Sequence, residues 1–131
     1  PDRATTVLFA RILAQRLVRR LEPTHAERYP ASPEEIEKFG LRRWQPEGDI
    51  HLYHPRPSEL SPTGYLGRTT IMEFLVMDDE LRRAVMRHAG MGELEQLARK
   101  AGMHTMYEDG IGKALAGVTT IEEVLRVTED A

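Results

Sequence analysis

The sequence predicts a mainly helical α+β chain, with short strands in a proline-rich subdomain followed by a C-terminal bundle of four short helices. Three observations carry this. From Asp78 onward, four successive stretches place apolar residues at helical spacing and end at glycines or begin at capping residues. Between Glu22 and Arg56, the prolines Pro23, Pro30, Pro33, Pro46 and Pro55 leave room only for short elements. Between them, GYLGRTTIMEFLVMDDELRRAV (residues 64–85) passes from a glycine-marked turn through an apolar run into a capped helix. A chain of 131 residues is one ordinary domain with a modest core.

In residues 5–21, TTVLFARILAQRLVRRL, the four-residue steps of Phe9, Leu13, Leu17 and Leu21 predict a helix. Val7, Ala10 and Ala14 widen its apolar side, and Arg11, Arg16, Arg19 and Arg20 fall mainly opposite. Those arginines form a solvated face with salt bridges, or Arg16 meets a neighbouring subunit or a nucleotide phosphate. Next, SPEEIEKFG carries the signs of a helix: Ser32 as N-cap, Pro33 at the first position, Glu35 completing a capping box, Gly40 as the stop. Ile36 and Phe39 form its inner side. Trp44 is a packing anchor, or an interface anchor, in a turn. Ile50 to Tyr53 is a short strand, and PRPSELSPTG a loop.

Leu66 to Met77 is rich in β-branched and bulky residues and predicts a strand, with Gly67 at a bend. Asp78 then caps a helix whose stripe is Leu81, Ala84, Val85 and His88 and whose stop is Gly90. GELEQLARKAG follows, with Leu94, Leu97, Ala98 and Ala101 facing inward and Gly102 as the C-terminal cap. In TMYEDGIGKALAG, Thr105 and Glu108 make a capping box and Gly117 ends the helix; Gly110 and Gly112, each costing about 1 kcal/mol relative to alanine, mark close packing. The last helix, TTIEEVLRVTED, pairs Thr120 with Glu123 as a capping box and turns Ile121, Val124 and Leu125 inward. Helices this short depend on tertiary packing.

Several function classes are excluded. A net charge of −3, from 18 basic and 21 acidic residues, gives no electrostatic footprint for nucleic acid. No G-x-x-x-x-G-K-[ST] loop and no G-x-G-x-x-G fingerprint occurs, so the chain cannot hydrolyse ATP by that route. None of the five histidines sits in a local nucleophile signature, and the pairs Asp78/Asp79 and Glu122/Glu123 are first-turn helix charges, so no catalytic residue is assigned. Zero cysteines permit neither a disulfide nor a thiolate metal site. The opening at Pro1, without methionine, suggests a segment of something longer.

AQRLVRRL (14–21), GYLGRT (64–69), EDG (108–110) and AGVTTIEEVLRVT (116–128), in this order and spacing, resemble the C-terminal part of the type II secretion ATPases, the E-type motors of the general secretory pathway. The related type IV pilus assembly ATPases are the nearest alternative. The closing TTIEEVLRVT and MDDELRRAV favour the secretion branch. A stand-alone helical interaction module without enzymatic activity is the alternative of another class.

The resemblance implies a hexameric cytoplasmic motor with a RecA-like ATPase core, peripheral to the inner membrane, which energises pseudopilus assembly. ATP and magnesium would belong to the parent protein, whose Walker motifs lie upstream. On that reading residues 1–21 are the last helix of the core, 22–66 a small subdomain, and 67–131 the C-terminal helical domain. The partners are the upstream ATPase domain, neighbouring subunits and inner-membrane secretion components, with no nucleic acid. Arg16 and Arg68 are the candidate subunit or subdomain contacts, Arg68 because the family motif carries it.

These ATPases commonly hold zinc with two C-x-x-C pairs in the small subdomain. Here Glu22 and His25 replace the first pair, and the second falls in HPRPSELSPTGY, which has no cysteine. The chain is therefore expected to fold without metal, through packing of Phe39, Leu41, Trp44 and Tyr53 and through prolines that restrict the unfolded chain. The alternative ligand set is Glu22, His25, His51 and His54.

Overall fold

A computed structural model describes residues 9–128. They form a mixed α+β structure of four strands and five α-helices: β1 Phe9–Leu21, β2 Glu27–Pro30, α1 Pro33–Phe39, β3 His51–His54, β4 Tyr65–Met77, α2 Asp79–Met86, α3 Met91–Lys100, α4 Met106–Leu115 and α5 Ile121–Thr128. β1 pairs with β4, and β2 pairs antiparallel with β3 in the register Glu27 to His54, Tyr29 to Leu52 and Pro30 to His51. The residues divide into two units, 9–15 with 72–106 and 16–71 with 107–128. The four C-terminal helices are shared between them, α2 and α3 in the first and α4 and α5 in the second.

The expected helix over residues 5–21 is corrected here. Residues 5–8 lie outside the described residues, and Phe9–Leu21 is a strand. The four-residue stripe is not the buried one, since Leu13 and Leu17 are both about half exposed while Val18 and Leu21 are buried. Long-range partners take the backbone groups that a helix would use internally. Leu21 N–H donates to the Val118 carbonyl at 2.9 Å, Arg19 N–H to the Glu123 carboxylate at 2.7 Å, and the Arg19 carbonyl accepts from the Thr119 hydroxyl at 2.7 Å. Strand pairing and these bonds outweigh a local helical preference worth a few tenths of a kcal/mol per residue.

In the second unit, α1 forms as its signals dictate. Ser32 Oγ accepts the Glu35 N–H, the Glu35 carboxylate accepts the Ser32 N–H, and Gly40 closes the helix in the left-handed region at φ 67°. The core consists of Val18, Leu41, Ile50, Leu52, Ile71, Ile111, Ala114 and Val124, all essentially inaccessible. The packing expected of Gly110 is present: an added Cβ would lie 2.6 Å from Val124 Cγ1 and 3.3 Å from Ile71 Cδ1. Trp44 packs over Gly112, where a Cβ would sit 3.6 Å from its ring nitrogen. α4 ends as a Schellman motif, with Gly117 N–H on the Ala114 carbonyl and Val118 N–H on that of Lys113. Gly117 has φ 80°, and the Tyr53 ring lies directly over it.

In the first unit, Asp78 caps α2 by accepting the Leu81 N–H at 2.8 Å. The helix stops earlier than expected, because His88 itself leaves it at φ 59° while its N–H bonds the Val85 carbonyl and Ala89 N–H bonds that of Ala84. Gly90 is instead the N-cap of α3. Phe74 and His104 exchange backbone hydrogen bonds at 3.1 and 3.2 Å, with their rings edge to face, and so tie the segment after α3 to β4. Leu75, Met77, Leu81, Val85, Met91, Leu94, Ala98 and Met103 line an apolar cavity of about 350 Å³ within this unit.

Candidate functional site

The polar chemistry of the second unit collects at two places. The first surrounds Glu123, on the inner face of α5 and only 2% exposed. Thr120 caps this helix through Oγ1, which accepts the Glu123 N–H at 3.2 Å and meets Tyr65 Oη at 2.9 Å. The reciprocal half of the expected box is absent, because the Glu123 carboxylate is turned to arginines instead. It accepts Arg19 N–H at 2.7 Å, Arg19 Nη2 at 2.9 Å, and Arg126 Nε and Nη2 at 3.1 and 3.0 Å. Arg19 also lies 4.2 Å above the centre of the Tyr65 ring. Burial pushes the Glu123 carboxyl up, but the hydrogen bonds of Arg126 and of the Arg19 side chain and backbone outweigh it and hold the group at about 2. Arg16 Nη1 donates to the Val127 carbonyl at 2.8 Å and so caps the last turn of the same helix.

The second place is Glu22, 3% exposed, just after β1. Its carboxylate accepts Thr24 N–H at 2.8 Å, the Thr24 hydroxyl, His25 N–H at 3.2 Å and His25 Nδ1 at 2.9 Å. An ionised carboxylate only accepts, so His25 Nδ1 carries the proton in this contact. The Thr24 hydroxyl and backbone, followed by His25, hold the Glu22 carboxyl at about 2.

The four residues of the alternative zinc set are not brought together. Glu22 and His25 satisfy each other, His51 Nδ1 meets Arg28 Nη2 at 3.1 Å, and the His54 ring stacks on Tyr29 with centroids 3.9 Å apart. Among the described residues, no three His, Asp or Glu side chains are grouped so that they could hold a metal ion. Arg68 is exposed, two residues beyond exposed Leu66, and its side chain forms no hydrogen bond or ion pair with another described residue. Sequence reasoning missed the Arg19–Glu123–Arg126 cluster, since Arg19 lies 104 positions from Glu123 and Glu123 had a local explanation as a cap.

Residues 4–126 match the family described as Type II/IV secretion system protein. The chain belongs to this family. It is 77% identical over 120 residues to a type II secretion system protein E of Xanthomonas campestris, an alignment covering 92% of the chain and 21% of that relative. It is 44% identical to the type IV pilus assembly ATPase PilB of Thermus thermophilus, over 89% of the chain and 13% of PilB. A type II secretion system ATPase E of Vibrio cholerae is 36% identical, with 92% and 23% covered. The chain thus spans about a fifth of the length of the type II secretion relatives it matches. The resemblance read from AQRLVRRL, GYLGRT and AGVTTIEEVLRVT is that of a secretion ATPase of the E type, and the family match bears it out. None of the described helices is long and apolar enough to cross a membrane.

Proposed function

We propose that this chain is the C-terminal, non-catalytic portion of a hexameric cytoplasmic secretion ATPase that powers pseudopilus assembly in type II secretion. One observation carries the reading: 77% identity to a type II secretion system protein E across 92% of the chain, in a sequence without a phosphate-gripping loop. ATP and magnesium would be bound upstream, and the helices α2 to α5 would form the motor's C-terminal helical domain. The role of this portion is then mechanical. The Glu123 cluster fixes α5 against β1, Arg16 is spent on α5, and Arg68 is left to meet a neighbouring subunit or the inner-membrane machinery. The 44% identity to PilB supports the pilus assembly branch as the second reading.

Two measurements test this. The purified chain is expected to show no ATP turnover, and turnover abolished by a substitution within residues 1–131 overturns the non-catalytic assignment. In the full-length motor, Arg68→Ala is expected to weaken hexamer formation and lower turnover without lowering the melting temperature. Unchanged assembly and turnover would make Arg68 a solvated charge.

A further inference from the structure

Two turns of the second unit carry the same hydrogen-bond pattern. In residues 22–25 the Glu22 side chain accepts the N–H groups of Thr24 and His25, two and three positions on, at 2.8 and 3.2 Å. In residues 58–61 the Ser58 hydroxyl accepts the N–H groups of Leu60 and Ser61, again two and three positions on, at 3.1 and 3.4 Å. In each, the residue at the fourth position is polar and held. His25 Nδ1 returns to Glu22 at 2.9 Å. Ser61 is 3% exposed; its hydroxyl accepts the Gly64 N–H at 3.1 Å and donates to the Tyr65 carbonyl.

The turns are also tied to one another. Glu22 N–H donates to the Gly64 carbonyl at 2.9 Å, and Gly64 N–H lies within 3.3 Å of the Ser61 carbonyl. Gly64 can occupy this position because it has φ 85° and no side chain: an added Cβ would lie 2.6 Å from the Arg56 nitrogen. Glu22 with His25, and Ser58 with Ser61, therefore have the i, i+3 spacing of two C-x-x-C pairs and stand on turns locked together through Gly64.

We propose that these turns are the two halves of the family's metal module with the metal replaced: Glu22, His25, Ser58 and Ser61 stand at the ligand positions, and the hydrogen bonds within each turn, joined through Gly64, clamp the subdomain. The proposal rests on family membership for the existence of the module and on the geometry for the residues. These side chains do not fit zinc. Neutral serine hydroxyls are poor partners for it, and the carboxylate and imidazole already satisfy one another. A hydrogen-bonded clamp needs no deprotonated thiolates and no metal supply, so the fold of this subdomain becomes independent of both redox state and chelators.

The test uses the full 131-residue chain. Zinc content of the purified protein should be far below stoichiometric, and its melting temperature should not respond to a strong chelator. Glu22→Ala should lower the melting temperature by several degrees, with no recovery on adding zinc. The variant E22C/H25C/S58C/S61C should bind zinc stoichiometrically, melt higher with zinc and lower with chelator. The control E22C/H25C/H51C/H54C should bind none tightly. Stoichiometric zinc on the unaltered chain overturns the proposal. So does an E22C/H25C/S58C/S61C variant that folds without taking zinc, or that remains unfolded with it, because the two turns would then not face a common centre. Loss of the secretion reading would leave all of these measurements unchanged, so the two claims fail separately.

Discussion

The two units solve the problem of a small core differently. The second buries polar groups among its apolar ones: Glu22, Ser61, Thr119, Thr120 and Glu123 are all nearly inaccessible, and no buried side-chain nitrogen or oxygen among the described residues lacks a partner. Among the described residues the first buries only apolar side chains, Leu81, Ala84 and Ala98; it leaves Val85, Met86 and Met91 exposed around an open apolar cavity of about 350 Å³. Apolar contact rewards burial without direction, whereas a buried carboxylate with four donors is stable in one arrangement only. The second unit is thus specified in register and orientation. The first is held by generic contact and can repack.

Truncation inside each core tests this most strongly. Ile111 is fully buried against a close-packed α4–α5 contact, so Ile111→Ala should cost about 4 kcal/mol, near the upper end for such changes. Leu81 already borders the open cavity of the first unit, and Leu81→Ala should cost about 2 kcal/mol, near the lower end. Chemical denaturation of both variants measures the difference. Equal costs would mean that the first unit is as tightly specified as the second.

The next effect comes from backbone approach. Gly64→Ala must place a Cβ at φ 85° within 3 Å of both Pro55 and Arg56, adding left-handed strain to a clash that a flexible side chain cannot relieve. A loss of about 3 kcal/mol is expected, combining the two costs. Gly67, at φ 78° but with nothing near it, provides the internal control: Gly67→Ala should cost only the strain, about 1 kcal/mol. If the two substitutions cost the same, Gly64 is not a junction.

Charge in the second unit should appear as acid lability. The Glu123 and Glu22 carboxyls are held at about 2 in the folded chain, below their ordinary 4.5. A depressed carboxyl stabilises the fold above its unfolded value, and that contribution is lost as pH falls through the window from 4.5 to about 2. Glu123→Gln should cost about 2 kcal/mol at neutral pH, less than for a fully buried pair because Arg19 and Arg126 are about half exposed and solvent takes up their freed charge. It should also flatten the acid limb of the stability curve. An acid limb unchanged by the substitution would place the lability elsewhere.

What could be read from the sequence divides along the same line. Local devices were legible: Ser32 with Glu35 and Gly40 around α1, Asp78 before α2, and Gly117 after α4. These work within a few residues, so spacing alone reveals them. What was misread depends on partners far along the chain. Phe9–Leu21 has helical spacing, yet its backbone is claimed by Val118, Thr119 and Glu123. Glu123 satisfies the pattern of a capping box, yet Arg19 takes its side chain. Ser58 and Ser61 carried no signal, because an i, i+3 pair of serines is common and acquires meaning only beside Gly64.

The smallest effect probes the first unit at the end of α2. His88 occupies the C-terminal position where a glycine is usual, at φ 59°, and closes the helix through bonds from its own N–H and that of Ala89. Its side chain is exposed, so removing it forfeits little packing. A non-glycine residue there bears about 1 kcal/mol of left-handed strain, while glycine would forfeit up to about 1 kcal/mol through the greater freedom of its unfolded chain. His88→Gly should therefore be neutral to stabilising by about 0.5 kcal/mol, a rise of about 2 °C in melting temperature for a domain of this size. His88→Val, whose β-branched side chain tolerates the left-handed region least, should instead lower it. If glycine destabilised by as much as valine, the imidazole would be making a contact of its own, and the end of α2 would be specified by a side chain in the manner of the second unit.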